Sequence, residues 1–320
     1  MTLNILHGRL FNGFYIGDRQ IVACQLAKSR KGFSLKKILF FEIEPELINR
    51  RGIITDPTRL AYLIKKDFSN NNFRPKQAAL SLGGFLVSFK KLLIENPLDT
   101  DVKRLIFAEA QKHIPFDLKE AYFDFNILEP YDNKEKAKEV LIAAAKKDIV
   151  DSYILLLKKL SVRLTVIDID IFALYNAYIL NYGISDKAIL LMDINYKRTL
   201  FIVIKNKYPL CLLEMPAEYP NNGADEFEDT IRHWHLKIEN AVELFYSEHP
   251  REKIDKAILS GECANFEAAK ELAKNIANNV DIFDPFKRIN INRNIFGYSS
   301  VKKAAPYAGI CIGLASRDCY

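Results

Sequence analysis

A few side chains in this sequence have the types that do chemistry, and their spacing tests each in turn. Asp168 and Asp170, two apart in "VIDIDIF", are paired carboxylates of the kind used in acid–base work. They lie where an apolar strand runs into a helix, so an N-cap at Asp170 beside a surface acid at Asp168 is the plainer expectation. His233 and His235 flank Trp234 on a predicted helix, where positions two apart do not share a face and so cannot share a metal ion. His113 closes a predicted helix before Ile114-Pro115-Phe116, a place where a polar or cationic side chain suits the helix dipole. No P-loop, Cys/His zinc pattern or nucleophile elbow occurs, and we expect no catalytic residue and no metal site.

One turn has a different character. "GFYIGDRQIVACQLA", residues 13–27, sets apolar residues on either side of Gly17, Asp18 and Arg19, and reads as two strands joined by a tight hairpin with Gly17 at positive φ. A turn whose amides face inward can cradle an anion, although most such turns are only hairpins.

The elements around that turn occur twice. The first set continues with the strand "FSLKKILFFEI", the helix "DPTRLAYLIKKDF" and the strand "KQAALSL". In that helix Asp56 is the expected cap, Pro57 opens the first turn, and Leu60, Leu63, Ile64 and Phe68 share a face. The second set has a hairpin in "KAILLMDINYKRTLFIVIKN", a strand "YPLCLLEMP", a long helix near "EFEDTIRHWHLKIENAVELFY" and a strand "KIDKAILSG". A repeated order of hairpin, strand, helix and strand implies two α/β lobes facing each other across a cleft. Between them, residues 84–164 read as a small α/β insertion: a strand, a helix stopped at Pro115, a hairpin around "YDNKEKAK" and the helix "DIVDSYILLLKKL". The domain division is therefore 1–83 with 165–184, the insertion 84–164, and 185–320.

Composition narrows the setting. Hydrophobic residues make up 49% and charged residues 27% of the 320, as in ordinary globular proteins, and the length suits two domains. No run approaches the ~18–20 apolar residues of a membrane span, and the opening "MTLNILHGRLFNG" has no secretory signal pattern, so a cytoplasmic protein is expected. Cys24, Cys211, Cys263, Cys311 and Cys319 are widely spread, mostly in apolar runs, as buried free thiols would be. The formal charge of +6 is scattered in doublets such as Lys36-Lys37 and Lys302-Lys303, which reads as solvated faces. Neither a nucleic-acid partner nor direct membrane insertion is expected.

Longer stretches carry a resemblance. "FAEAQKHIPFDLKEAYFDFNIL", "VLIAAAKKDIVDSYILLLKKLSVRLTVIDIDIFAL", "DPF" at Asp284–Phe286 and "GICIGLASR" together resemble the type IV pilus assembly protein PilM family over nearly the whole chain. The resemblance implies an actin-like, RNase H-like fold related to the cell-division protein FtsA, with duplicated lobes and a small α/β insertion in the first. It also implies a cytoplasmic protein docked at an inner-membrane pilus platform, holding the cytoplasmic N-terminal tail of a PilN-like membrane protein beside the insertion. Phe89, Glu109, Ile114, Pro115 and Phe116 are the candidate contacts for that tail, although a core cluster is the plainer reading of Ile114-Pro115-Phe116.

Family members are described as binding ATP, and the resemblance places its contacts at three turns. The candidates here are Gly17, Asp18, Asp193, Asn195, Lys197, Thr199 and Gly261. Each turn departs from the family's pattern. Tyr15 stands where the first Asp-Ile-Gly has its carboxylate, and a phenol does not hold hydrated magnesium as a carboxylate does. In "DINYKRT" Asp193 is kept and Asn195 can take a left-handed conformation, but Tyr196 and Lys197 crowd the turn, with Lys197 and Arg198 expected as exposed cations. In "LSGECA" Glu262 replaces a glycine where a nucleotide would lie against bare backbone, and the segment before "ELFY" is short. We expect a cleft filled by Tyr15, Lys197 and Glu262, no cofactor, and an adaptor without ATPase activity. The alternative is an active ATP-dependent switch with a divergent Mg-ATP site.

Overall fold

The computed structural model describes residues 10–17, 19–49, 52–95, 102–127, 137–196, 198–206, 208–216, 226–291, 301 and 304–317. Two compact units emerge, one of Met1–Ile43, Asp67–Ser81 and Val162–Tyr320, the other of Glu44–Lys66 and Leu82–Ser161.

In the larger unit the expected hairpin forms: β1 (Leu10–Ile16) pairs antiparallel with β2 (Gln20–Ser29), and β2 with β3 (Gly32–Glu42). On the other side of β1 lies β4 (Gln77–Leu82), parallel to it, and then β8 (Arg163–Ile169). The second sheet repeats this plan. β9 (Ala188–Ile194) pairs antiparallel with β10 (Arg198–Lys205), which pairs with β11 (Tyr208–Pro216). β12 (Ile254–Ser260) and β13 (Asn279–Ile282) extend the sheet in parallel on the far side of β9. Strand orders β3-β2-β1-β4-β8 and β11-β10-β9-β12-β13 are thus the same arrangement, and the first sheet gains a short sixth strand, β14 (Asn290–Ile291), along β3. The duplicated α/β fold expected from the sequence is present.

Burial explains the strand sequences. Every residue of β9 is buried, as are all of β10 except its last, so these strands read as unbroken apolar runs covered on both faces. One face carries α5 (Glu226–Glu248) and α6 (Glu267–Ile276), which close a core around Phe201, Trp234, Phe245 and Leu259. In the first lobe α4 (Asp170–Tyr182) packs against α7 (Gly309–Ser316), whose residues Gly309–Ala315 are all buried. The backbones approach so closely that a side chain at Gly13 would meet the carbonyl of Cys311, and one at Gly313 the carbonyl of Ala173. Cys24, Cys211, Cys263 and Cys311 are buried free thiols, as expected, and Cys319 lies outside the described residues.

The helix α1 (Pro57–Asn70) starts as read, with Asp56 accepting from the amides of Thr58 and Arg59 at 2.9 Å. Within the larger unit its Phe68 packs against Phe14, Phe41 and Phe73.

The smaller unit is a three-stranded antiparallel sheet, β5 (Val87–Glu95), β7 (Ala137–Lys146) and β6 (Ala121–Ile127), in the order β5-β7-β6. Helix α2 (Val102–His113) covers one face through Ile106 and Ala110, against Leu92, Ile94, Val140 and Ile142. The adjoining helix α3 (Lys147–Lys159) buries Val150, Tyr153, Leu156 and Leu157, and the Tyr153 hydroxyl donates to the Gly52 carbonyl at 2.6 Å.

Candidate functional site

The first turn closes on itself. Tyr15 and Ile16 pair with Val22 and Ile21, and the Gly17 amide donates to the Gln20 carbonyl at 2.9 Å. Contrary to the sequence expectation, Gly17 does not take positive φ. Glycine suits the position because a Cβ would lie 3.0 Å from the Gln20 oxygen and 3.1 Å from the Tyr15 ring, which folds over the turn. Asp18 lies outside the described residues. Arg19 stacks its guanidinium 3.6 Å from the centre of the Tyr196 ring, so a cation–π contact joins the first turn to the second.

The second and third turns are fastened to each other. Asn195 is not left-handed as expected; its amide donates to the Arg198 carbonyl at 2.9 Å and its side chain does the distinctive work. Nδ2 donates to the Asp193 carboxylate, while Oδ1 accepts from the Glu262 amide at 2.9 Å. The Cys263 amide donates to the Ile194 carbonyl at 2.9 Å. Between these bonds Gly261 takes φ +92°, and a Cβ there would sit 2.5 Å from the Ile194 oxygen and 2.8 Å from Asn195 Oδ1. The glycine is therefore demanded by the protein's own backbone. Asp193 is fully enclosed; burial raises its pKa, and the nearby Arg198 charge and the Asn195 hydrogen bond act in the opposite sense. Thr199 is buried with no partner for its hydroxyl, and Lys197 lies outside the described residues.

Arg198 overturns its expectation as an exposed cation: it is only 5% accessible and gathers groups from both lobes. Its Nη2 donates to the Tyr15 hydroxyl at 3.0 Å and to the Asp170 carboxylate, and its Nη1 donates to Glu214 at 3.2 Å. Asp170 is accordingly no N-cap. Ile169 occupies the cap position, and Asp170 is the first residue of α4, 1% accessible, its Oδ1 without a partner. Asp168, expected at the surface, is buried as well. Burial pushes its pKa up to about 6 against the pull of Arg317, whose Nη1 lies 2.9 Å away, and of the Ile169 amide, which donates at 2.8 Å. Tyr15 is buried, and its hydroxyl is held by Arg198. Sequence reasoning missed this cluster, although one signal was present: an Arg and an Asp, each opening an otherwise apolar element, in "RTLFIVI" and "DIFAL".

The side chain of His233 lies outside the described residues. His235 is half-buried beside Glu239 at 3.2 Å, and His113 contacts Glu109 at 3.4 Å. Among the described residues no group of three or more His, Cys, Asp or Glu is arranged to hold a metal ion.

In the smaller unit, Ile114 is buried in the sheet–helix core while Pro115 is exposed and Phe116 half-buried against that core, with Lys146 Nζ 5.8 Å from the centre of its ring. Glu109 pairs with Lys112 at 2.7 Å, and this hydrogen bond lowers its pKa. Phe89 stands apart: strand alternation puts it on the sheet face opposite Leu92 and Ile94, hence opposite Ile114 and Phe116. Exposed apolar side chains not anticipated from the sequence are Leu93, Leu105, Phe107 and Tyr122, with Phe107 edge-on to Phe123 at 5.6 Å.

The family described as type IV pilus assembly protein PilM matches residues 13–211 and 213–319. Among solved structures, a PilM-PilN type IV pilus biogenesis complex is similar with a TM-score of 0.82 at 18% identity, covering 95% of this chain and 97% of that one. A Bacteroides thetaiotaomicron VPI-5482 protein with an actin-like ATPase fold and unknown function has a TM-score of 0.50 at 12% identity, covering 89% and 95%. These likenesses show an actin-like fold. No helix among the described residues is long and apolar enough to cross a membrane.

Proposed function

Because the chain belongs to the type IV pilus assembly protein PilM family, we propose that it serves as an adaptor of a type IV pilus or type II secretion-like platform, without nucleotide turnover. In this reading it is cytoplasmic, held peripherally at the inner membrane by gripping the cytoplasmic N-terminal tail of a PilN-like membrane protein. The likeness to a PilM-PilN complex supports that partner. The smaller unit offers β5 and β6 as sheet edges, and beside them Leu93, Leu105 and Phe107 for alternate side chains of an extended peptide.

The observation that carries the loss of nucleotide is the closure of the three turns by their own groups. A nucleotide's phosphates need amides facing them, yet those of Gly17, Asn195, Glu262 and Cys263 are bonded within the protein. Hydrated magnesium leans on carboxylates, yet Tyr15 replaces one and Asp193 is enclosed behind Asn195. The residues present do not fit Mg-ATP, and no step is assigned to it. The rival reading, a switch ATPase built on Asp193, has one observation in its favour, the unpartnered hydroxyl of Thr199.

Calorimetric titration distinguishes the two. The adaptor shows no heat of Mg-ATP binding, and it captures the cytoplasmic tail peptide of a membrane protein encoded beside it equally well with and without Mg-ATP. Micromolar Mg-ATP binding that vanishes in Asp193→Ala would sink this reading, as would failure of every neighbouring tail to bind.

A further inference from the structure

The geometry points to Arg198 as a resident cation, a guanidinium that stands in the cleft in place of a metal ion and ties the first lobe to the second. This deepens the adaptor reading and rests on it, but it makes a claim of its own about how the lobes are joined.

Asp170 opens α4 and Tyr15 is the last residue but one of β1 in the first lobe; Glu214 lies on β11 and Arg198 opens β10 in the second. One guanidinium reaches the first three, with side-chain accessibilities of 6% for Arg198, 2% for Asp170 and 7% for Glu214. Two buried carboxylates, Asp170 and Glu214, around one positive centre are the groups that a hydrated divalent ion leans on, and the Tyr15 phenol adds a neutral acceptor beside them. Here a planar fork of fixed donors serves the same oxygens without an exchangeable ligand. The arginine is delivered by the turn itself: it closes the second hairpin through its carbonyl while its side chain crosses to the first lobe. Asp170 Oδ1 has no partner, so the carboxylate keeps capacity for another positive group.

Such a tie differs from a metal in one testable respect, since a charge on the chain cannot be withdrawn by dissociation. Removing it should leave the Asp170 carboxylate, one of whose oxygens already has no partner, beside a vacated volume that Mg²⁺ or Mn²⁺ can enter. The test is thermal unfolding of the full chain with MgCl₂ or MnCl₂ against KCl of matched ionic strength. The wild type is expected to show no divalent-specific shift. Arg198→Ala is expected to lose roughly 10 °C in Tm and to regain about 2–4 °C or more with Mn²⁺ or Mg²⁺, and adding Asp170→Asn should abolish that response.

A folded Arg198→Ala that ignores divalent ions overturns the inference, as does a wild type that responds equally. Should Arg198→Ala prove insoluble, combining it with Asp170→Asn and Glu214→Gln removes the uncompensated charge and is expected to restore folded protein. If that combination also fails to fold, the ion-tie reading is wrong. The adaptor reading fails separately, through Mg-ATP binding to the wild type.

Discussion

Asp168 carries a burden that its neighbours do not. Its carboxyl is buried and its pKa is about 6 against an ordinary 3.8, so between those values the folded protein holds a proton that the unfolded chain has lost. The sign follows: stability declines as pH rises through that window, and above it the buried charge is tolerated only through Arg317 and the Ile169 amide. Asp168→Asn should flatten the slope between about pH 4 and 6 and raise stability near pH 7 by roughly 2 kcal/mol, measurable by thermal melts across pH. A variant with an unchanged slope would show that another group titrates there. At this scale the sequence was partly legible. Tyr15 at a carboxylate position was visible as a substitution of type, and it is buried beside the second hairpin's Arg198. The partners of Arg198 were not legible, because Asp170, Tyr15 and Glu214 are far apart in the chain and only the tertiary fold brings them together. Local rules put a cap at Asp170 and solvent around Arg198. A buried ion pair defeats such rules, since each partner looks like a surface residue until the other is placed.

At the level of elements the sequence said more. Both hairpins, the capped start of α1 and the stop of α2 before Pro115 follow from alternation, capping chemistry and breakers, and all are present. The contact between α4 and α7 was illegible, since an apolar segment such as "GICIGLAS" announces burial without naming its neighbour. That neighbour explains Gly313, which lies against the carbonyl of Ala173 where no Cβ fits. Gly313→Ala should force the helices apart and cost at least about 2 kcal/mol, even though alanine is the better helix former. Chemical denaturation is the check. A neutral or stabilising result would mean the helix pair has slack that this close approach denies. Phe89 shows the matching limit in a strand: sequence proximity to the other candidate contacts gave no hint that the pleat turns it to the opposite face.

For the molecule as a whole, duplication was the legible feature, because two supersecondary units of the same order need no long-range information to be seen. The smaller unit has a core of its own around Ile106, Val140 and Ile142, all fully buried. Ile142→Ala should therefore cost roughly 2–4 kcal/mol locally. In hydrogen exchange it is expected to loosen β5, β6 and β7 while the amides of β9, β10 and β12 keep their protection. Uniform loss of protection across both units would show a single cooperative block instead.

The first sheet also bears on how the protein is made. Its sixth strand, β14, and the helix α7 that covers β1 both follow the entire second sheet in the chain. On the ribosome, β1 to β4 emerge long before either arrives, leaving Val22 and Cys24, which meet Cys311 of α7, without their final cover while some two hundred further residues are translated. The nascent first lobe must wait or be chaperoned, and it locks only when α7 slides over it. Maturation of this fold is thus timed by its last helix, so translation arrest just short of "GICIGLAS" should leave a chain that chaperones still hold.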